Sequence, residues 1–213
     1  MELAPYIDHT LLKPQATEAD IKKLCQEAIG HGFKAVCVNG CYVEMAVNQL
    51  QGQATQVATV IGFPLGAMTT EAKIFEAKDA VNKGADEVDM VLNIGWLKSG
   101  WDANVQDEIA QIKEGIGEKV LKVILETCYL TDDEKKRASH LAVSAGADFV
   151  KTSTGFGTGG ATLDDVRLIK SIVGDKALIK ASGGIRDRST ALQYIELGVS
   201  RIGTSSGPIL VKT

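Results

Sequence analysis

Ser144-Ala145-Gly146-Ala147-Asp148-Phe149 reads as the end of a helix turning into a strand, which runs on as Val150-Lys151-Thr152-Ser153-Thr154-Gly155 into a glycine-rich loop. The same phrase occurs as Lys83-Gly84-Ala85-Asp86-Glu87-Val88 and as Glu196-Leu197-Gly198-Val199-Ser200-Arg201-Ile202. Each time a helix end is followed by a glycine, a small or apolar residue, a polar residue and a strand. A repeated helix-to-strand turn implies repeated βα units and a parallel sheet. Strand-like runs fall at 6–10, 34–39, 57–63, 87–93, 121–127, 148–153, 177–182 and 201–204. Amphipathic helices are expected at 18–30, 42–50, 70–83, 102–116, 132–144, 163–172 and 189–197. Thr17, Thr131, Thr162 and Asp187 fit as N-caps. Gly30, Gly84, Gly146 and Gly198 fit at the C-terminal ends. Eight strands with seven helices between them fit an α/β fold of the (β/α)8 TIM-barrel type, with an open doubly wound sheet as the alternative. Only 205–213 follow the last strand, so the closing helix is short or absent.

The 213 residues, 45% hydrophobic and 23% charged, have the composition of a soluble globular chain that can bury a large core. No linker or low-complexity segment divides them, so one barrel domain over 1–213 is expected. The net charge of −4, with basic residues dispersed, excludes an electrostatic nucleic-acid surface. No apolar run reaches the ~20 residues of a membrane helix. The N-terminus lacks the basic start and apolar stretch of a signal peptide. Cys25, Cys37, Cys41 and Cys128 do not have zinc-ligand spacing, so reduced thiols and a cytoplasmic location are expected, with no metal.

Strand alternation gives Lys151 its interest. Phe149, Lys151 and Ser153 share one face of their strand. A lysine facing a buried interior is rare without a partner. Burial and a nearby cation lower its pKa, which frees the amine for attack on a carbonyl. On 87–93, Val88, Met90 and Leu92 turn outward and Asp89 inward. On 121–127, Val123 and Leu125 turn outward, Lys122 and Glu126 inward. On 177–182, Lys180 faces in with Leu178 and Ser182, and the first strand offers Asp8. Three lysines (Lys122, Lys151, Lys180) and the carboxylates Asp8, Asp89 and Glu126 thus share one interior. An ion-pair network that merely fills the barrel is the plain alternative, but packing alone favours apolar side chains there.

In a barrel the site lies at the C-terminal ends of the strands. There stand Thr154-Gly155-Phe156-Gly157-Thr158-Gly159-Gly160, Ser182-Gly183-Gly184-Ile185 and Gly203-Thr204-Ser205-Ser206-Gly207. Glycines admit an anion close to backbone N–H groups, and serines add donors. Gly183, Gly184, Ser205 and Ser206 are placed for a phosphate, although such glycines also serve simply as tight turns. His9 points to the helix layer as a satisfied core histidine, and His31 and His140 read as surface residues. Cys37 faces inward as a small core residue bordering the pocket. Trp96 and Trp101 read as packing or interface residues.

Four motifs together resemble the deoxyribose-phosphate aldolases: Lys151-Thr152-Ser153-Thr154-Gly155-Phe156-Gly157, Lys180-Ala181-Ser182-Gly183-Gly184-Ile185-Arg186, Glu87-Val88-Asp89-Met90-Val91 and Ile7-Asp8-His9-Thr10-Leu11-Leu12. The resemblance covers nearly the whole chain. It implies a metal-free and cofactor-free class I aldolase that reversibly cleaves 2-deoxy-D-ribose 5-phosphate to glyceraldehyde 3-phosphate and acetaldehyde. It implies Lys151 as Schiff-base lysine, Lys180 as the second lysine that lowers its pKa, and Asp89 as the acid–base carboxylate. Gly155, Gly183, Gly184, Ser205 and Ser206 match phosphate-site positions; Asp8, Lys122 and Thr154 match supporting pocket positions. A homodimer acting on a small phosphosugar is the usual form in the family. Some members carry a lysine where Phe156 stands, so less positive charge near the phosphate is expected here. Some members end in a tyrosine that helps proton transfer; the sequence to Thr213 has none, which implies lower activity or a water in its place. A different Schiff-base barrel enzyme and a non-catalytic phosphosugar-binding barrel are the two other readings.

Overall fold

A computed structural model of the chain describes residues 2–212. The strands are β1 (Ile7–Leu11), β2 (Ala35–Val38), β3 (Gln56–Ile61), β4 (Glu87–Val91), β5 (Val120–Ile124), β6 (Phe149–Lys151), β7 (Leu178–Ser182) and β8 (Arg201–Thr204). They pair in parallel in sequence order, and β8 returns to β1 through Ile7↔Ile202, Asp8↔Gly203 and His9↔Thr204. The sheet is therefore a closed eight-stranded barrel, and the open alternative is excluded. Helices α1 (Glu18–His31), α2 (Val43–Gln49), α3 (Thr70–Asn82), α5 (Asp102–Ile116), α6 (Asp132–Ser144), α7 (Leu163–Val173) and α8 (Arg188–Glu196) cover it. One short helix, α4 (Ile94–Lys98), was not expected. It forms because the Asn93 side chain accepts the Trp96 N–H at 3.1 Å, as an N-cap does. The chain closes with the five-residue α9 (Gly207–Val211).

The recurring turn has one hydrogen-bond pattern at all three places. After α3, α6 and α8 the N–H groups of Ala85, Ala147 and Val199 reach back to the carbonyls of Ala80, Ala142 and Tyr194 at 3.0, 3.0 and 3.1 Å. Gly84, Gly146 and Gly198 supply the left-handed residue each turn requires, at φ 99°, 84° and 90°. The polar residue that follows opens the next strand: the N–H groups of Asp86, Asp148 and Ser200 donate to Val57, Leu121 and Ile179 of the neighbouring strand. Helix α1 departs from expectation, ending at Gly32 (φ 67°) rather than Gly30, with Gly32 donating to Ala28 and Ile29. Thr17 and Thr131 make complete capping boxes with Asp20 and Glu134, and Thr162 and Asp187 cap α7 and α8.

Outward strand residues such as Val88, Met90, Val123 and Val150 pack with the helices in one large apolar cluster. The barrel interior is divided. Ala35 and Cys37 of β2 and Ala58 and Val60 of β3, with Leu12, form a small apolar half. The inward positions of β1 and β4 to β8 carry charge, and that half holds the candidate site.

Candidate active site

Strand register brings the charged side chains together. Asp89 pairs across the ladder with Lys122, Lys151 with Lys180, and Lys180 with Arg201. All three lysines point inward, as alternation requires, and are buried, Lys151 alone retaining 3% exposure. Lys151 Nζ donates to Asp89 Oδ2 at 2.7 Å, and Lys180 Nζ donates to the same oxygen at 2.8 Å. Lys122 Nζ donates to Asp89 Oδ1 at 2.7 Å and approaches Glu87 Oε2 at 2.5 Å. Lys180 also donates to Asp8 Oδ2 at 2.5 Å. Arg201 closes the network beneath, reaching Asp8 Oδ1 at 2.6 Å and both oxygens of Glu87 at 2.5 and 3.1 Å. The Phe149 ring lies against Lys122 and Arg201, 5.9 and 5.6 Å from its centroid.

These contacts set the protonation states. Burial pulls the Lys151 ammonium below the usual lysine range, and Lys180 beside it adds to that, outweighing Asp89. Burial acts the same way on Lys180, but Asp8 and Asp89 overcome it and hold that ammonium above the usual range. Burial would raise the Asp89 carboxyl, yet Lys122, Lys151 and Lys180 together hold it well below the ordinary carboxylate range. Asp8, also buried, is held down to about 2 by Lys180, Lys122 and Arg201. The arrangement is thus one lysine disposed to lose its proton beside a second that keeps it. Asp89 is a permanent carboxylate between them, fit to accept and orient protons rather than to supply its own.

Lys151 opens onto a cavity of about 490 Å³ at the C-terminal mouth of the barrel. Thr154, Gly155, Gly183, Gly184 and Ser205 line it, as the sequence places them. Asp8 and Lys122 do not; they lie below, engaged with Lys180 and Asp89. Ser206 is adjacent but outside the lining, and its N–H is committed to Thr204 Oγ1 at 2.9 Å. Glu126 is buried beyond the end of β5 and makes no ion pair with the lysines. Its carboxylate accepts the Thr154 N–H at 3.1 Å and a very short bond from the Thr154 hydroxyl, which in turn accepts the Phe156 N–H at 3.0 Å. Phe156 stands at the cavity edge, its ring meeting Phe63 edge-on at 5.3 Å. A larger hollow, about 810 Å³, lies behind the β6–α7 loop and contains none of these lysines.

Sequence reading missed Glu87 and Arg201 in the network, and Lys13 and Arg186 at the cavity rim. Alternation carried the signal for the first two: Glu87 is two residues before Asp89, and Arg201 is two before the inward Gly203. Lys13 and Arg186 are exposed loop residues with no periodicity to mark them. His9 packs outward, bonded to Glu27 at 2.8 Å and edge-on to Phe33, and His31 and His140 are exposed. Cys37 is buried in the interior, and burial pushes its thiol up. Trp96 packs on the core, whereas Trp101 is exposed. Among the described residues no group of His, Cys, Asp and Glu has the makeup to hold a metal ion.

A family profile described as DeoC/LacD family aldolase matches residues 3–207. The deoxyribose-phosphate aldolase of Finegoldia magna is 57% identical over 212 residues, spanning 100% of both chains. That of Carboxydothermus hydrogenoformans is 58% identical over 210 residues, covering 97% of this chain and 92% of its own. A solved deoxyribose phosphate aldolase from Aeropyrum pernix, described as a unique tetramer, superposes with a TM-score of 0.89 at 34% identity, covering 98% of this chain and 89% of its own.

Proposed function

We propose, from the premise that the chain belongs to the DeoC/LacD family of aldolases, that this enzyme reversibly cleaves 2-deoxy-D-ribose 5-phosphate through a Schiff base on Lys151. One observation carries the reading. Of the three interior lysines, Lys151 alone lines the cavity, and it is the one whose ammonium is destabilised. Neutral Lys151 Nζ attacks the C1 aldehyde, and the carbinolamine loses water to give an iminium. A base removes the C3 hydroxyl proton; Asp89 or a bound water serves this step, while Lys180 stays charged beside it. The C2–C3 bond breaks, its electrons pass into the iminium as an enamine, and glyceraldehyde 3-phosphate leaves. Protonation of the enamine carbon and hydrolysis release acetaldehyde and free Lys151. Relay of these protons contributes about 10²–10⁴-fold. Asp89 orients both ammonium groups, and Lys180 keeps Lys151 from being charged at the same time.

The phosphate is assigned to the mouth between Gly155, Gly183, Gly184 and Ser205, with Arg186 and Lys13 at the rim and Ser206 alongside. Thr154 fixes the wall through its bonds to Glu126. Asp8 and Lys122 support the reacting groups from below. The free cysteines accord with a reducing cytoplasm. The same reading takes the chain as one barrel domain acting as a homodimer, without metal or cofactor.

Borohydride reduction in the presence of 2-deoxyribose 5-phosphate or acetaldehyde, followed by peptide mass mapping, tests the assignment. A two-carbon adduct is expected on Lys151 and absent in Lys151→Leu. An adduct on Lys122 or Lys180 instead would reassign the nucleophile.

A further inference from the structure

The buried network holds four cations, Lys122, Lys151, Lys180 and Arg201, against three carboxylates, Asp8, Glu87 and Asp89. With every group ionised it carries one excess positive charge, almost wholly buried, with Lys151 alone of the three lysines reaching the cavity. Such an excess is costly in a low-dielectric interior and is relieved by losing one proton. The contacts decide which proton leaves. Arg201 does not deprotonate in proteins. Lys122 meets Glu87 and Asp89 closely, with Asp8 at 3.9 Å, and Lys180 meets Asp8 and Asp89. Lys151 has only one carboxylate oxygen, which it shares with Lys180.

We infer that the Arg201–Glu87 pair at the bottom of the barrel sets the pH at which Lys151 becomes a free amine, without touching substrate. Arg201 occupies Asp8 Oδ1 and both Glu87 oxygens, so these carboxylates are partly neutralised from below and hold Lys151 less strongly in its charged form. Glu87 does the reverse work for Lys122, absorbing part of its charge. The groups facing Lys151 are Asp89 of β4, Lys180 of β7 and the Cys37 thiol of β2, with Lys122 of β5 bound to the other oxygen of Asp89. Asp8, Glu87 and Arg201 act on these from beneath. Arg201 and Glu87 are thus positioning residues, and their balance is a tuning device in a layer the chemistry does not reach. The inference rests on Lys151 being the imine-forming lysine.

The test is the pH dependence of the rate at which 2-deoxyribose 5-phosphate is trapped on Lys151 by borohydride, in wild type and in charge variants. Glu87→Gln raises the excess charge to two, so the midpoint should fall by about one pH unit. Arg201→Met removes the excess, so the midpoint should rise by about as much, and the double variant should return close to wild type. Each single change leaves every remaining charge with a partner: Arg201 keeps Asp8, and Glu87 keeps Lys122. Lys122→Met removes the same charge from a different strand and should also shift the midpoint upward, which keeps the test alive if Arg201→Met does not fold. General damage to the fold would slow trapping without moving midpoints in opposite directions. Midpoints that stay put, or that move the same way for gain and loss of charge, overturn the inference while leaving the aldolase reading intact. No Lys151 adduct in wild type at any pH would overturn the Schiff-base reading and this inference with it.

Discussion

Asp89 is one carboxylate serving three ammonium groups, and that load defines what its replacement would do. In Asp89→Asn the amide keeps the shape but removes the counter-charge shared by Lys122, Lys151 and Lys180. Turnover should fall by about 10²–10⁴-fold. Stability should fall by about 3–5 kcal/mol, because buried charges lose their compensation. Steady-state kinetics and urea unfolding check the two halves, and activity within tenfold of wild type would remove Asp89 from the relay. Asp8 gives a pH dependence with a definite sign. Its folded pKa of about 2 lies below the unfolded value, so the folded state binds fewer protons. The resulting stability is present above about pH 4 and is lost as pH falls toward 2, amounting to about 2 kcal/mol. Urea midpoints measured across that window should drop in wild type and flatten in Asp8→Asn. At this scale much was legible from alternation, because a side chain's face follows from its parity along the strand. Parity placed Asp8, Asp89, Lys122, Lys151 and Lys180 inward. It could not say how deep each lay: the resemblance matches Asp8 and Lys122 to supporting pocket positions, and of these five side chains only Lys151 lines the cavity.

Elements show where local chemistry dictates shape. The three glycine turns after α3, α6 and α8 need a left-handed residue, and each turn launches a strand that carries site residues or their neighbours. Gly146→Ala meets nothing closer than Lys113 at 3.8 Å, so its cost is conformational and should be about 1–2 kcal/mol, read by urea or thermal unfolding. An unchanged midpoint would mean the turn relaxes. The loops at the mouth give a second prediction. Ser205→Asp puts a negative charge into the cavity lining and should raise KM for 2-deoxyribose 5-phosphate by about tenfold or more, with little effect on unphosphorylated 2-deoxyribose. Equal losses on both sugars would move the phosphate elsewhere. Glu126 marks the limit of reading elements from sequence. Alternation gives it an inward face, but its backbone takes a left-handed conformation at φ 56°; the regular strand ends at Ile124, three residues short of the expected end, and the carboxylate turns onto Thr154. Nothing in strand periodicity encodes that turn, because the hydrogen bonds that hold it come from the next βα loop.

At the scale of the whole molecule, the repeat of βα units announced a parallel sheet but not its closure. Periodicity reports the two faces of one strand, whereas closure depends on the tilt and stagger of all eight. The structure supplies what the pattern lacked: β1 meets β8 in register, and Asp8 on β1 binds Lys180 of β7 and Arg201 of β8. The first strand is therefore tied to the last two by ions as well as by the backbone ladder. The divided interior has a calorimetric consequence. Hydrating newly exposed hydrocarbon raises the heat capacity of a chain as it unfolds, and hydrating newly exposed polar groups lowers it. Over most of this barrel's circumference, melting the interior releases ammonium, guanidinium and carboxylate groups together with a few apolar side chains such as Val91, Ile124 and Phe149. The heat-capacity increment on unfolding should then fall below the ordinary ~12–15 cal/mol/K per residue, and the curve of stability against temperature should be correspondingly flat. Scanning calorimetry at several pH values would show it, and an ordinary increment would mean that the apolar layer outside the barrel dominates the thermal response.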